Sequence, residues 1–321
     1  MATESYHMIN LYILSNNLYR KDKLDKNMEL KTIKQHYVPQ FYLRNFEDKQ
    51  HKLYVYNRQK DKFIESRTKD ICREKCLYET QWENANPKLG KYILPNQIED
   101  DFSRQESKYN TLLKKIIDIC SEPKNENALI CNQTEKKELA LFVANMLLRN
   151  LWSLEQANID DIPDELMEDN EIQSIDQLLQ MLGLGGTESL IKHSSKKVWL
   201  DSELNSGKNV PTFIACDLQK MFMSFLVTQS AYFVTSSFPV IFETYKSEDN
   251  KTHCQNLFMP LCPKIALQYT KNLTMKASHN RQIPVFPEIV EKINRLYMKG
   301  SPEQFQFLIS HSNNVLRNVI L

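Results

Sequence analysis

His36 and Arg44 sit in one dense run, Gln35-His36-Tyr37-Val38-Pro39-Gln40-Phe41-Tyr42-Leu43-Arg44-Asn45-Phe46. An imidazole that titrates near neutrality can act as acid or base, and a neighbouring arginine can hold a phosphate or carboxylate. Glu99 and Glu106 lie seven residues apart, two turns along one helix face, with Asp100 and Asp101 beside the first. Paired carboxylates of this kind can bind Mg²⁺ or Mn²⁺ for phosphoryl-transfer hydrolysis. Arg149 falls between Leu148 and the Leu151-Trp152 pair, in the most apolar stretch of the chain. A charge there must snorkel, pair or face a cavity.

Each of these residues has a structural alternative. His36 and Arg44 could satisfy backbone carbonyls while Tyr37, Phe41, Tyr42 and Phe46 pack. The glutamates could cap a helix and form a solvated face, and Arg149 could pair with one of them. The sharper expectation puts His36, Glu99, Glu106 and Arg149 in one polar pocket as catalytic groups, with Tyr37, Arg44 and Ser236 contacting the substrate. Cys72 and Cys76, with His253, Cys254 and Cys262 far downstream, are too loosely spaced to indicate zinc, and the first two read as small core fillers one helical turn apart. The chain has no P-loop, dinucleotide fingerprint, HExxH or GxSxG. Basic runs such as KHSSKK are interrupted or short and read as solvated faces. Aromatics interleaved with Arg44, Arg58, Arg67 and Arg73 offer a stacking platform for single-stranded nucleic acid.

These residues need a framework, and the pattern supplies one of mixed type. Leu53 and Val55 alternate with Tyr54 and Tyr56 ahead of the polar turn NRQKDK, which predicts a hairpin. Asn96 followed by Glu99 predicts a capped helix running to about Cys120, with Ile98, Phe102, Tyr109, Leu112, Leu113, Ile116 and Ile117 inward. A second helix, capped at Thr134, is apolar nearly all round and should be central. The acidic segment NIDDIPDELMEDNE reads as a connector, followed by short helices at IDQLLQML, stopped by Gly183, and SLIKHSSKKVWL. Beyond residue 210, MFMSFLVT, AYFVTSSFPVIFE, NLFMPL and IALQYT read as strands of a small sheet, and PEIVEKINRLYMKG as a last helix between proline and glycine. The fold class is therefore α+β, a helix-rich core with a small mixed or antiparallel sheet built from N-terminal and C-terminal strands.

HYVPQFYLRNF, the following LYVYNRQKDKF and ICREKCLYE, and the later AYFVTSSFPVIF and NLFMPLCP resemble the mainly bacterial family catalogued as domain of unknown function 4238. The family's later block carries Asp-Asn in a Thr-Ser-Asp-Asn-Pro-Val turn, whereas this chain has Ser237-Phe238. The missing carboxylate would be a natural acid, base or metal ligand. The resemblance implies one domain over 28–321, with 1–27 as an extension ahead of Met28.

Composition narrows the class. The chain's 321 residues can bury a core without staples. With 41 basic against 40 acidic residues there is no global field of the kind that marks an obligate nucleic-acid binder. Six glycines argue against glycine-rich phosphate loops, and seven cysteines without a secretory segment suggest a reduced, cytoplasmic setting. No stretch is apolar enough for a bilayer. Two functions remain open: a metal-dependent nuclease or nucleotide hydrolase of the bacterial toxin or phage-defence type, or a non-catalytic module that binds a protein or nucleic-acid partner.

Overall fold

The computed structural model describes residues 30–86, 90–122, 129–157, 162, 164–181, 183–201, 209–246, 250 and 252–321. The extension expected at 1–27 lies outside them. Strands β1 (Lys34–His36), β2 (Leu53–Asn57), β3 (Lys62–Ser66), β4 (Arg73–Lys75), β5 (Gln81–Asn86) and β6 (Gly90–Tyr92) precede the helices of the middle of the chain. Strands β7 (Phe222–Val227), β8 (Thr235–Ser236), β9 (Ile241–Lys246), β10 (Thr252–Cys262), β11 (Ile265–Thr270), β12 (Gln282–Pro284) and β13 (Phe307–Ser310) follow them. The fold is α+β, and the chain forms two compact units, each assembled from separated segments.

The larger unit comprises His36–Arg73, Gln105–Ser153 and Thr212–Leu321. Its five-stranded sheet has the order β12-β7-β11-β10-β9, antiparallel except where β12 runs parallel to β7. Its four-stranded sheet, β3-β2-β13-β8, pairs Leu308 with Tyr56 and Ile309 with Val55, so the two ends of the chain do share a sheet. The β2–β3 hairpin keeps Leu53 and Val55 fully buried, as alternation requires.

Tyr42 ties this unit together. It lies in the short helix Gln40–Leu43, is fully buried, and packs against Phe46 and Phe142. Its hydroxyl donates to the Pro260 carbonyl on β10 at 2.6 Å and shares a 2.7 Å hydrogen bond with the Thr235 hydroxyl on β8. One side chain thus joins both sheets. The helix Gln133–Leu148 carries Phe142 and is buried along much of its surface. Its cap is Asn132, in a reciprocal box with Glu135, rather than the Thr134 expected from the sequence.

The helix Pro287–Lys299 starts at its proline, and the guanidinium of Arg58 closes its other end. Arg58 donates to the carbonyls of Tyr297 (2.8 Å), Met298 (3.2 Å), Gly300 (2.9 Å) and Ser301 (3.3 Å). Gly300 is required there by space, because a Cβ would stand 2.1 Å from the Phe305 ring.

The smaller unit comprises Met1–Gln35, Glu74–Arg104 and Leu154–Pro211 as far as they are described. The β5–β6 hairpin and the helices Asn170–Met181 and Glu188–Leu200 enclose Ile93, Ile172, Leu179, Leu184, Leu190 and Ile191. Gln35 is fully buried, donating to Glu79 at 2.6 Å and accepting from the Tyr78 N–H at 2.8 Å. Asn96 precedes the helix Gln97–Ser121, as expected, but in a left-handed conformation (φ 65°) with its side-chain oxygen turned to the Thr32 N–H at 2.9 Å. Cys72 and Cys76 are not helical; both have positive φ, 54° and 52°. Among the elements that escaped the sequence reading are the helix Val210–Gln219, β13 and the helix Asn313–Ile320, and the segment read as an acidic connector holds the short helix Asp164–Met167. Among the described residues no helix is long and apolar enough to cross a membrane.

Tyr42→Phe leaves the ring packing intact and takes a partner from two buried oxygens. It should destabilise the protein by about 1–3 kcal/mol. Urea denaturation checks this: the midpoint falls with an unchanged slope, and an unmoved midpoint would remove the hydroxyl from the account.

Candidate functional site

Arg149 caps the C-terminus of the Gln133–Leu148 helix. The apolar residues around it leave its guanidinium 4% exposed, and it turns inward to two partners of opposite kind. It donates to the His36 backbone carbonyl at 2.7 Å and to the Glu106 carboxylate at 3.1 Å. Glu106, with 30% of its side chain exposed, is the solvent end of this line. The structural alternative, a pair between Arg149 and a glutamate of the long helix, is thus present in the fold.

The His36 imidazole is half-buried against the short turn Thr68–Asp70. Burial lowers its pKa most, the nearby guanidiniums of Arg73 and Arg149 add to that, and the backbone groups of Lys69 and Thr68 oppose it. A neutral ring at pH 7 follows, able to accept a proton. Its neighbour Tyr37 is 3% exposed, with its N–H on the Cys72 carbonyl at 3.0 Å.

The turn after β8 is sealed. Ser236 is fully buried, and its hydroxyl donates to the Phe238 carbonyl at 2.6 Å and accepts from the Phe238 N–H at 3.0 Å. The Ser237 hydroxyl accepts from the Phe307 N–H at 3.0 Å. Phe238, where the family pattern has a polar residue, packs edge-on against Trp152 and Phe305. Neither Tyr37 nor Ser236 presents a surface to a substrate.

Of the seven residues singled out, His36, Glu106 and Arg149 are joined through the guanidinium. Arg44 is exposed on the same unit. Glu99 belongs to the smaller unit, because the division of the long helix falls after Arg104. Among the described residues no group of three or more histidines, cysteines or acids converges to hold a metal. The opening aromatics also fail as a stacking platform, since Tyr37, Phe41, Tyr42 and Phe46 are all buried.

Two further arrangements were not anticipated. On the larger unit, a groove of about 380 Å³ is lined by Lys52, Glu65, Ser66, Arg67, Lys69 and Asp70. Its carboxylates are already paired, Glu65 with Lys52 at 2.6 Å and Asp70 with Arg73 at 3.0 Å. In the smaller unit, buried Lys197 pairs with Asp101 and, at 3.2 Å, with Asp201, while Arg104 also holds Asp101. Buried His193 shares a 2.9 Å hydrogen bond with Gln97, and burial, aided by the charge of Lys196, brings its pKa down to about 4. The run KHSSKK looked like a solvated face. The signal was the four-residue spacing of His193, Lys197 and Asp201, which puts all three on one helix face.

Replacing Arg149 with Met should cost about 1–3 kcal/mol, because the His36 carbonyl loses its donor while Glu106 can turn to water. Arg149→Lys, which can reach only one partner well, should fall between. Equal unfolding midpoints for all three proteins would contradict the bridge. His193 gives a pH signature. Its folded pKa lies below the unfolded value of 6.5, so the unfolded chain binds the proton first. Stability holds above pH 6.5, falls as pH drops towards 4, and loses up to ~3 kcal/mol over that window. His193→Gln should flatten this part of the stability-pH curve measured by urea denaturation.

No curated protein and no solved structure matches the chain. The family model described as "Protein of unknown function (DUF4238)" matches residues 34–314, from β1 into the last helix. That span covers most of the chain and includes both sequence blocks that carried the resemblance, so the protein belongs to the DUF4238 family.

Proposed function

We propose that the protein is a non-catalytic binding module that takes a phosphate-bearing ligand, a nucleic acid or nucleotide, on the Thr68–Asp70 turn. The observation that carries this reading is the charge balance of the groove. Lys52, Arg67, Lys69 and Arg73 stand against Glu65 and Asp70, and each acid already has a cation. Arg67 and Lys69 then supply the surplus charge that an anion requires. The same turn has His36 against its backbone, and the His36 carbonyl is fixed by Arg149. The arginine and histidine first considered for chemistry thus become supports of a binding surface. A cytoplasmic setting and a role in phage defence fit such a module but do not bear on its chemistry.

The competing reading is a nuclease or nucleotide hydrolase with neutral His36 as base and Glu106 beside it. One experiment addresses both. A fluorescent single-stranded oligonucleotide and a labelled nucleotide are titrated by anisotropy over a salt series, and the same mixtures are assayed for cleavage. Binding should weaken at least tenfold in Arg67→Glu/Lys69→Glu, with a shallower salt dependence, and no product should form. Unchanged affinity in the double variant would overturn the groove. Turnover with Mg²⁺ or Mn²⁺ that disappears in His36→Ala would establish the hydrolase instead.

A further inference from the structure

The five-stranded sheet carries a polar row where its face meets the helix Pro287–Lys299. Residues Ser224 (β7), Gln268 (β11), Asn256 (β10) and Glu243 (β9) project from the same face, with Gln268 opposite Ser224 and Asn256 opposite Glu243 in register. They are linked in series. Ser224 donates to Gln268 at 3.3 Å, Gln268 to Asn256 at 3.3 Å, and Asn256 to Glu243 at 2.6 Å. Lys292 from the helix closes the row on the other carboxylate oxygen at 2.6 Å. Ser224 and Gln268 are buried, the Glu243 side chain is 20% exposed, and Lys292 is 61% exposed. The row thus runs from the core to the surface.

Above it is a cavity of about 270 Å³, walled by Leu226, Phe258, Ile283, Ile293 and Leu296, with half-exposed Ile289 at its edge. A sheet face beneath an amphipathic helix is served as well by apolar residues, and replacing buried polar groups by hydrophobic ones is often neutral or stabilising. The fold therefore gives no reason for four polar residues here. Their hydrogen-bonding capacity does. Each carboxylate oxygen of Glu243 has one protein partner and can accept a second. The side-chain amides of Asn256 and Gln268 each use one N–H and keep another. Burial alone would raise the pKa of Glu243, but Lys292 and Asn256 outweigh it and hold the carboxyl below its ordinary range, so the acceptor is permanent at neutral pH.

We infer that this cavity is a binding site for a flat heterocycle that presents an amino group beside a ring acceptor, the pattern of an amino-bearing nucleobase. Glu243 accepts from the amino group, the spare N–H groups of Asn256 and Gln268 donate to the ring nitrogen or carbonyl, and the apolar walls cover the two faces of the ring. Lys292, paired with Glu243 and 61% exposed, stands at the mouth, where its ammonium can also reach the sugar end. The volume admits a base with part of its sugar. This inference is independent of the cationic groove, and phosphate-free probes keep the two apart.

The test is isothermal titration calorimetry of the full chain with adenosine, guanosine, cytidine and uridine, none of which carries a phosphate. At least one amino-bearing nucleoside should bind, and uridine at least tenfold more weakly. Glu243→Gln, which exchanges one acceptor for a donor, should reduce that affinity at least tenfold. Ile289→Trp, at a position already half in solvent, should do so by filling the mouth while leaving the unfolding midpoint near that of the parent. The inference is overturned if no nucleoside binds at millimolar concentration, if uridine binds as well as the others, or if both variants bind like the parent.

Discussion

The hydroxyl of Tyr42 is the point on which the larger unit turns. Two sheets meet there, and each offers a backbone or side-chain oxygen that has no access to water: Pro260 on β10 and Thr235 on β8. A buried oxygen without a donor costs more than a made hydrogen bond contributes, so the tyrosine defines which pair of sheets can pack as well as strengthening the packing. Tyr297 repeats the device, its hydroxyl donating to the Pro239 carbonyl at 2.8 Å beside the buried Thr235-Ser236-Ser237 turn. Both sequence blocks that identify the family therefore meet at tyrosine hydroxyls.

That relation explains how the sequence could reveal the family without revealing the chemistry. Residues dense enough to be recognised, Tyr37, Tyr42, Phe46 and the Thr-Ser-Ser turn, are those with the most packing constraints, and they are buried. Lys69 and Gln268 carry no such density and passed as ordinary polar residues, and Arg67 stood out only as one of four arginines among the opening aromatics. Periodicity made the hairpin and the helices Gln97–Ser121 and Pro287–Lys299 legible because each has one apolar face, and the Gln133–Leu148 helix because it is apolar nearly all round. It missed β13, whose central position follows from pairing with residues some 250 positions away, information that no local pattern holds. It also missed the helix Val210–Gln219, which precedes the first of the strands read beyond residue 210.

Caps and partners were less legible than elements. Thr134 and Asn132 are both acceptable N-caps, and only the geometry of the Glu135 return bond selects the asparagine. Glu99 and Glu106 share a helical face, but common spacing by itself does not make a common site. Arg149 was placed correctly as a charge needing a partner, but the sequence could not tell that its second partner would be a backbone carbonyl, since every residue offers one.

The same accounting separates the polar groups of this protein into two kinds. Arg58 closes a helix end, Ser236 closes its own turn, and Arg149 fixes the opening strand; in each case a bond runs to a backbone oxygen that the fold itself creates. Such groups are explained once the chain is folded. Glu243, Asn256 and Gln268 differ, because their bonds run to one another, Ser224 and Lys292 rather than to any orphaned backbone group, and each retains a donor or acceptor beside an open cavity. A polar row that the backbone does not need, on a face that hydrophobic residues could cover, is a burden on stability unless something else completes it. In a family recognised through its core, unfilled hydrogen-bonding capacity is a better guide to the ligand than the most recognisable residues.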